Sequence, residues 1–296
     1  MSNLRRTMLF CPASNPKLLF TAMIYKPDCI LFDLEDSVAY KDKIASRDLL
    51  VEALKSVDYK GCEVFARINS LDGEFGEEDV RELVKAGLRK IRLPMCESKL
   101  DVRTLAELLD EVEEKNNIEN GSVKIQCSLE TPKGVHHSLS IATASKRVIS
   151  ISFGAEDFTR TLGVNRTKNG VELAYARGLI VLNASIAGVD AIDTVYADIA
   201  DVEGFLAEVK NAKAIGFAGK SCVHPSQIPL VHDIYSPSEE EIEWAIKILK
   251  ASQAANINEG GVILVEGKMV DIPVIEKAKR VLKLAQVTIE NGGIDE

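Results

Sequence analysis

The feature that most constrains this chain is its rhythm. Short apolar runs alternate with helix-patterned stretches from near residue 7 to near residue 223, with runs beginning at Thr7, Cys29, Cys62, Ile91, Val123, Val148, Ala191 and Lys220. Several runs are almost continuously apolar, the pattern of strands buried on both faces of a parallel sheet. Between them, Val80, Leu83, Val84 and Gly87 follow the i, i+3, i+4, i+7 spacing of an amphipathic helix, and so do Leu105, Leu108, Leu109 and Val112. Strand–helix alternation implies βαβ units with right-handed crossovers. Eight of them predict a closed (β/α)8 TIM barrel over residues 1–235. An open doubly wound sheet would place a glycine-rich turn after its first strand, and no GxGxxG stands there.

Residues 236–296 exceed what a minimal barrel needs and predict a C-terminal helical extension. Ser238 and Glu241 have the spacing of a capping box, and Ile242, Ala245, Ile246 and Leu249 form the apolar face that follows. Asn256 to Gly261 reads as a loop, and a last helix is expected from about Pro273. Such a tail is expected to cover the barrel mouth or to reach a neighbouring subunit.

The net charge of −9 gives no general attraction for nucleic acid or an anionic membrane surface. An anionic substrate therefore needs local positive charge. No stretch has the length of a signal peptide's apolar core or of a transmembrane helix. Six cysteines lie far apart without a CxxC pair or zinc spacing, as in a cytoplasmic protein with buried, reduced thiols.

Polar residues interrupt the runs at their C-terminal ends. The second ends Asp33-Leu-Glu35-Asp36, the third Arg67-Ile-Asn69, the fifth Ser128-Leu-Glu130 and the sixth Gly154-Ala-Glu156-Asp157; the seventh passes through Asp193, and the eighth ends Val223-His224-Pro225. In a barrel these ends converge on the face that carries active sites. One acid there is an ordinary solvated loop residue, but acids after several strands repel one another unless protonated or bound to a cation. Oxygen-only ligands point to Mg2+, which takes one or two carboxylates and completes its octahedron with water and substrate oxygens. An arginine beside it offers a two-pronged hold on a substrate carboxylate.

Competing motifs are weaker. Ala214-Ile-Gly-Phe-Ala-Gly219-Lys220-Ser221 lacks the first glycine of a phosphate-binding loop and follows a helical stretch rather than a strand. It reads as a turn into the eighth strand, with Lys220 left able to meet an anion. Adjacent His136 and His137 do not share the i, i+4 spacing of a metal pair and read as a helix-surface pair. His224 is as consistent with a site residue as with a hydrogen-bonded core histidine. There is no GxSxG elbow.

Arg6-Thr-Met-Leu-Phe-Cys-Pro, Phe32-Asp-Leu-Glu-Asp-Ser-Val, Arg67-Ile-Asn, Glu130-Thr-Pro-Lys-Gly, Gly154-Ala-Glu-Asp, Asp193-Thr-Val-Tyr-Ala-Asp and Gly267-Lys-Met-Val-Asp-Ile-Pro stand in this order along nearly the whole chain. Together they resemble the HpcH/HpaI aldolase superfamily, and within it the citryl-ACP lyase family, the beta subunits of citrate lyase. The resemblance implies Mg2+ on Glu130 and Asp157, and a substrate carboxylate gripped by Arg67 beside Glu130. It implies proton transfer by Asp271, a C-terminal aspartate that reaches a neighbouring subunit's site, and a supporting acid at Asp36. It also implies cleavage of a citryl thioester, on acyl carrier protein or coenzyme A, to oxaloacetate and an acetyl thioester. The implied partners are citrate lyase alpha and gamma (acyl carrier) subunits and further copies of this chain. Two alternatives stand beside it: a stand-alone citramalyl-CoA or malyl-CoA type lyase, and a non-catalytic scaffold subunit of an acyl-carrier complex.

Overall fold

The structure, a computed structural model, describes residues 4–255, 261–285, 288–290 and 293–295. Eight parallel strands close into a ring in sequence order: β1 (Thr7–Pro12), β2 (Cys29–Asp33), β3 (Glu63–Arg67), β4 (Lys90–Leu93), β5 (Lys124–Leu129), β6 (Val148–Phe153), β7 (Asp190–Asp193) and β8 (Gly219–Cys222). The ring closes where Met8 of β1 pairs with Ser221 of β8. Helices α1 (Pro16–Thr21), α2 (Lys43–Ser56), α3 (Gly76–Lys85), α4 (Lys99–Lys115), α5 (Pro132–His136), α6 (Ser138–Ala142), α7 (Ala155–Leu162), α8 (Ala174–Ala187) and α9 (Val202–Ile215) lie between the strands. The TIM barrel read from the alternation is the observed fold.

The helices form where the periodicity placed them. α3 buries Val80, Leu83 and Val84, and α4 buries Val102, Leu105, Leu109 and Val112. Each such side chain contributes about 1.5–3 kcal/mol by leaving water. Ser98 starts α4 with a capping box, its Oγ accepting from Leu100 N–H while Asp101 accepts from Ser98 N–H at 2.9 Å.

Along each strand, alternate side chains face the barrel interior. Met8, Cys29, Leu31, Phe65 and Ile192 come from four strands and pack into one interior cluster. Below it, Arg5 joins Glu63 and Asp190 at the N-terminal ends of β3 and β7. Parity also corrects one expectation. Asp193 faces outward, where it accepts two hydrogen bonds from Arg177 of α8 at 3.0 Å and one from Lys220 Nζ at 2.9 Å. Glu208 of α9 meets the same lysine at 2.6 Å. Asp193 therefore fastens helices to the barrel wall, and the anions that Lys220 meets are the protein's own. The residues that line the mouth just after this strand are Thr194 and Val195.

The chain divides into two compact units, residues 1–231 and 232–296, with α10 (Gln227–Tyr235) running across the division. In the second, α11 (Glu239–Ala254) opens with the expected capping box: Ser238 Oγ accepts from Glu241 N–H and Glu241 accepts from Ser238 N–H. α12 (Ile272–Ala285) packs on α11 through Ala245, Ile248, Ile275, Ala278 and Leu282. Between them lies a hairpin of β9 (Ile263–Val265) and β10 (Lys268–Val270). Its turn residues Glu266 and Gly267 both have positive φ, 50° and 77°, the geometry of a type I′ turn. A second pair, β11 (Thr288–Glu290) and β12 (Gly293–Asp295), is antiparallel. The loop read at Asn256 to Gly261 lies outside the described residues apart from Gly261. Among the described residues no helix is long and apolar enough to cross a membrane.

Candidate active site

The C-terminal strand ends surround a cavity of about 410 Å3. Five carboxylates line it, from Asp33, Asp36, Glu130, Glu156 and Asp157, together with two guanidinium groups, from Arg67 and Arg92.

Asp33 and Arg67 are register partners at the ends of β2 and β3, so their side chains lie alongside each other. Arg67 Nε and Nη2 donate to the two Asp33 carboxylate oxygens at 2.7 and 2.8 Å, and Nη1 donates to Asp36 at 3.1 Å. The two-pronged edge of Arg67 is thus occupied by the protein itself. Burial works to raise the Asp33 carboxyl, but the bonds from Arg67 outweigh it and hold it below its ordinary value. Burial likewise works against the charge on Arg67, and Asp33, Glu35 and Glu130 more than restore it. Glu35 Oε2 lies 2.7 Å from Arg67 Nη1 yet makes no hydrogen bond. The ion-pair distance and the missing bond are compatible, because the oxygen sits off the N–H direction. Burial pushes the Glu35 carboxyl up to about 8, against the pull of Arg67.

Glu130 follows β5 and is 3% exposed. Its place is set by the turn after it: Thr131 caps α5, accepting from Gly134 N–H at 3.1 Å, and Pro132 occupies the first helical turn. Gly154, after β6, lies against Glu130 so closely that a Cβ there would stand 2.5 Å from Glu130 Cγ. Burial raises the Glu130 carboxyl, Arg92 and Arg67 pull it down, and Asp157 pushes it up again. Among the described residues no cationic nitrogen lies within ion-pair distance of Glu130.

Asp157 stands in the first turn of α7, where the helix dipole favours a carboxylate. One of its oxygens meets exposed Arg160 at 2.7 Å. Ala155 N–H donates to Thr194 Oγ1 at 3.0 Å, fixing the start of α7 to the end of β7. No cluster of three or more histidine, cysteine, aspartate or glutamate side chains with metal-binding geometry occurs among the described residues. Two oxygen donors at a cavity wall, one of them buried without a counter-ion, match the smaller protein share that Mg2+ requires.

Arg92 was not singled out by sequence reasoning, although an arginine inside the run Ile91-Arg-Leu93 was the available signal. It is the register partner of Arg67 and 3% exposed. Its Nε donates to Ser128 Oγ at 2.6 Å, Nη1 lies 3.8 Å from Met8 Sδ, and the guanidinium sits 5.0 Å from the Phe10 ring centre. Burial and then Arg67 pull its pKa down to about 10.

The structure therefore brings Asp36, Arg67, Glu130 and Asp157 to one cavity. Asp271 belongs to the second unit, where its Oδ1 accepts from Val274 N–H at 3.2 Å at the start of α12. His224 is exposed, its Nδ1 accepting from Ser226 N–H at 3.2 Å; it is neither a core histidine nor a lining residue. His136 is exposed, and His137 donates through Nδ1 to the Glu97 carbonyl oxygen at 2.9 Å.

Residues 6–225 match the family HpcH/HpaI aldolase/citrate lyase. The chain belongs to that family. It is 43% identical over 283 residues to the citrate lyase subunit beta of Haemophilus influenzae, covering 96% of this chain and 97% of the relative. Among solved structures, it superposes with a TM-score of 0.74 on Mycobacterium tuberculosis CitE in complex with magnesium, acetoacetate and coenzyme A, at 33% identity over 96% of this chain and 98% of that one. It also resembles the M. tuberculosis citrate lyase beta subunit complexed with oxaloacetate and magnesium, with a TM-score of 0.68 and 32% identity over 79% of this chain and 98% of that one.

Proposed function

We propose that this chain is a cytoplasmic, Mg2+-dependent carbon–carbon lyase that cleaves a citryl thioester to oxaloacetate and an acetyl thioester. The observation that carries the reading is similarity to a citrate lyase beta subunit along nearly the full length of both chains, with Glu130, Asp157 and two arginines lining one barrel mouth. Five buried cysteines, all free, suit a reducing compartment.

Glu130 and Asp157 would hold the metal. When bound, Mg2+ supplies positive charge beside the substrate's hydroxyl and carboxylate oxygens, which favours loss of the hydroxyl proton. Arg67, held at a fixed angle by Asp33, presents the N–H groups left free on its outer edge to the substrate and so limits its rotation. Breaking the bond between the carbinol carbon and the thioester's α-carbon leaves a carbonyl on one fragment and an enolate on the other. The enolate must gain a proton, and the hydroxyl must lose one. Carboxyl groups are suited to relaying both, with Asp271 in the first place and Asp36 in the second. Asp271 would act from a neighbouring copy, and the citryl group would arrive on the acyl carrier (gamma) subunit of a complex that also holds an alpha subunit.

The test is magnesium-dependent release of oxaloacetate, pyruvate or glyoxylate from citryl, citramalyl and malyl thioesters, each offered on acyl carrier protein and on coenzyme A. Release of oxaloacetate from citryl-ACP, abolished by chelator, is the expected result. Preferred cleavage of citramalyl- or malyl-CoA overturns the substrate assignment, and no turnover of any thioester overturns the activity.

A further inference from the structure

The two arginines of the mouth are not equivalent. Arg67 is compensated: Asp33 takes its Nε and Nη2, and Asp36 its Nη1. Arg92 is just as buried, and among the described residues no carboxylate lies within ion-pair distance of its guanidinium. Its contacts are the Ser128 hydroxyl, the Met8 sulfur and the face of Phe10. A buried charge without a counter-ion is costly, and a cavity that keeps one is arranged for an anion that arrives from outside. Arg92 lines the cavity together with Ser221, whose buried Oγ has no hydrogen-bond partner among the described residues. Ser221 is the register partner of Met8, so its strand position adjoins the residue that Arg92 reaches.

A citryl thioester has two free carboxylates. One sits on the carbinol carbon beside the hydroxyl, and the other ends a methylene arm. The first shares its oxygens with the group that holds the hydroxyl. The second lies one carbon further out, on an arm that ends beyond those oxygens, and a cation of its own would single it out. In citramalyl and malyl thioesters that arm is a methyl group or a hydrogen atom. Resting on the lyase reading above, we propose that Arg92, assisted by Ser221, is the subsite for the carboxylate of the methylene arm and sets the preference for three-carboxyl acids over their two-carboxyl analogues.

Products carry the same distinction: oxaloacetate is pyruvate with a carboxylate on its methyl group. Calorimetric titration of the full-length chain with each, in saturating Mg2+, reads the subsite without requiring turnover. Wild type is expected to bind oxaloacetate about 10- to 100-fold more tightly than pyruvate, the range for a charged group meeting a matched buried partner. Arg92→Met should reduce that ratio to about threefold or less while leaving pyruvate binding in place, which also reports that the site is folded. Arg92→Lys keeps the charge without the fork and should fall between them. A ratio near one in wild type, or a wild-type ratio that survives in a folded Arg92→Met protein, overturns the subsite. If Arg92→Met does not fold, Arg92→Lys with an undiminished ratio overturns it equally. Should wild type fail to cleave citryl thioesters while Arg92 still governs the ratio, the lyase reading fails and the subsite stands.

Discussion

At the scale of single residues, the mouth is governed by how each charge is compensated. Glu130 is buried, pushed toward its neutral form by burial and by Asp157 against the pull of Arg92 and Arg67, and among the described residues no cationic nitrogen lies within ion-pair distance of it. Glu130→Gln removes one of two repelling acids, so the metal-free variant should melt at or above wild type. It should also lose the rise in melting temperature that Mg2+ gives wild type, together with at least about 10²–10³-fold in turnover. A Mg2+-induced shift of wild-type size in this variant removes Glu130 from the ligand set. Gly154→Ala tests the same side chain from behind. Its Cβ has no room against Glu130 Cγ, and an overpacked contact of this kind costs about 1–3 kcal/mol. Weakened Mg2+ binding together with the stability loss is expected, and unaltered Mg2+ affinity counts against the packing argument.

Glu35 gives a pH signature. Its carboxyl is raised to about 8 in the fold, against an ordinary value near 4.5, so between these values the folded chain holds a proton that the unfolded chain has released. Stability from this group is complete below pH about 4.5 and is lost as pH rises through about 8. Denaturant unfolding between pH 5.5 and 8.5 should therefore show a falling wild-type contribution that Glu35→Gln lacks, and parallel pH profiles would exclude it.

At the scale of elements, β7 shows what alternation can and cannot reveal. Its four residues, Asp190-Ala-Ile-Asp193, carry an aspartate of each parity, so the pattern alone cannot tell which one faces inward. The fold sends Asp190 to Arg5 and Asp193 outward to α8. Lys220, Asp193, Arg177 and Glu208 then form a buried ionic joint that binds α8 and α9 to β7 and β8. Lys220→Met leaves two buried carboxylates with fewer cations and should destabilise the chain by about 3–5 kcal/mol in denaturant unfolding. Oxaloacetate affinity measured under native conditions should persist. Loss of that affinity with stability intact would return Lys220 to the site. Other elements were plain in the sequence because their signals are local: the α11 capping box and the apolar faces of α3 and α4.

At the scale of the whole molecule, Asp271 lies in the second compact unit and the residues of the mouth lie in the first. If Asp271 completes the site of a neighbouring copy, two inactive variants can repair each other. Glu130→Gln and Asp271→Asn chains, unfolded together and refolded as a random mixture, should regain about one quarter of wild-type activity, because a site is intact only when each residue comes from the other variant. An inactive mixture, with both variants folded and assembled, would confine Asp271 to its own chain, and full activity of Asp271→Asn alone would remove it from catalysis.

Local pattern in the chain is enough for the eight strand–helix units, and with them for the barrel, the face that carries the site, and four of the residues that meet there: Asp36, Arg67, Glu130 and Asp157. These follow from short-range pattern, since a strand end is recognised by its own neighbours. Which charge answers which is set by the folded barrel. Asp33 occupies Arg67 because β2 and β3 place them in register, no carboxylate among the described residues lies within ion-pair distance of Arg92, and Asp193 turns away from the mouth. Compensation of charge is a sum over groups that eight strands bring together from opposite ends of the chain, and no local pattern contains that sum.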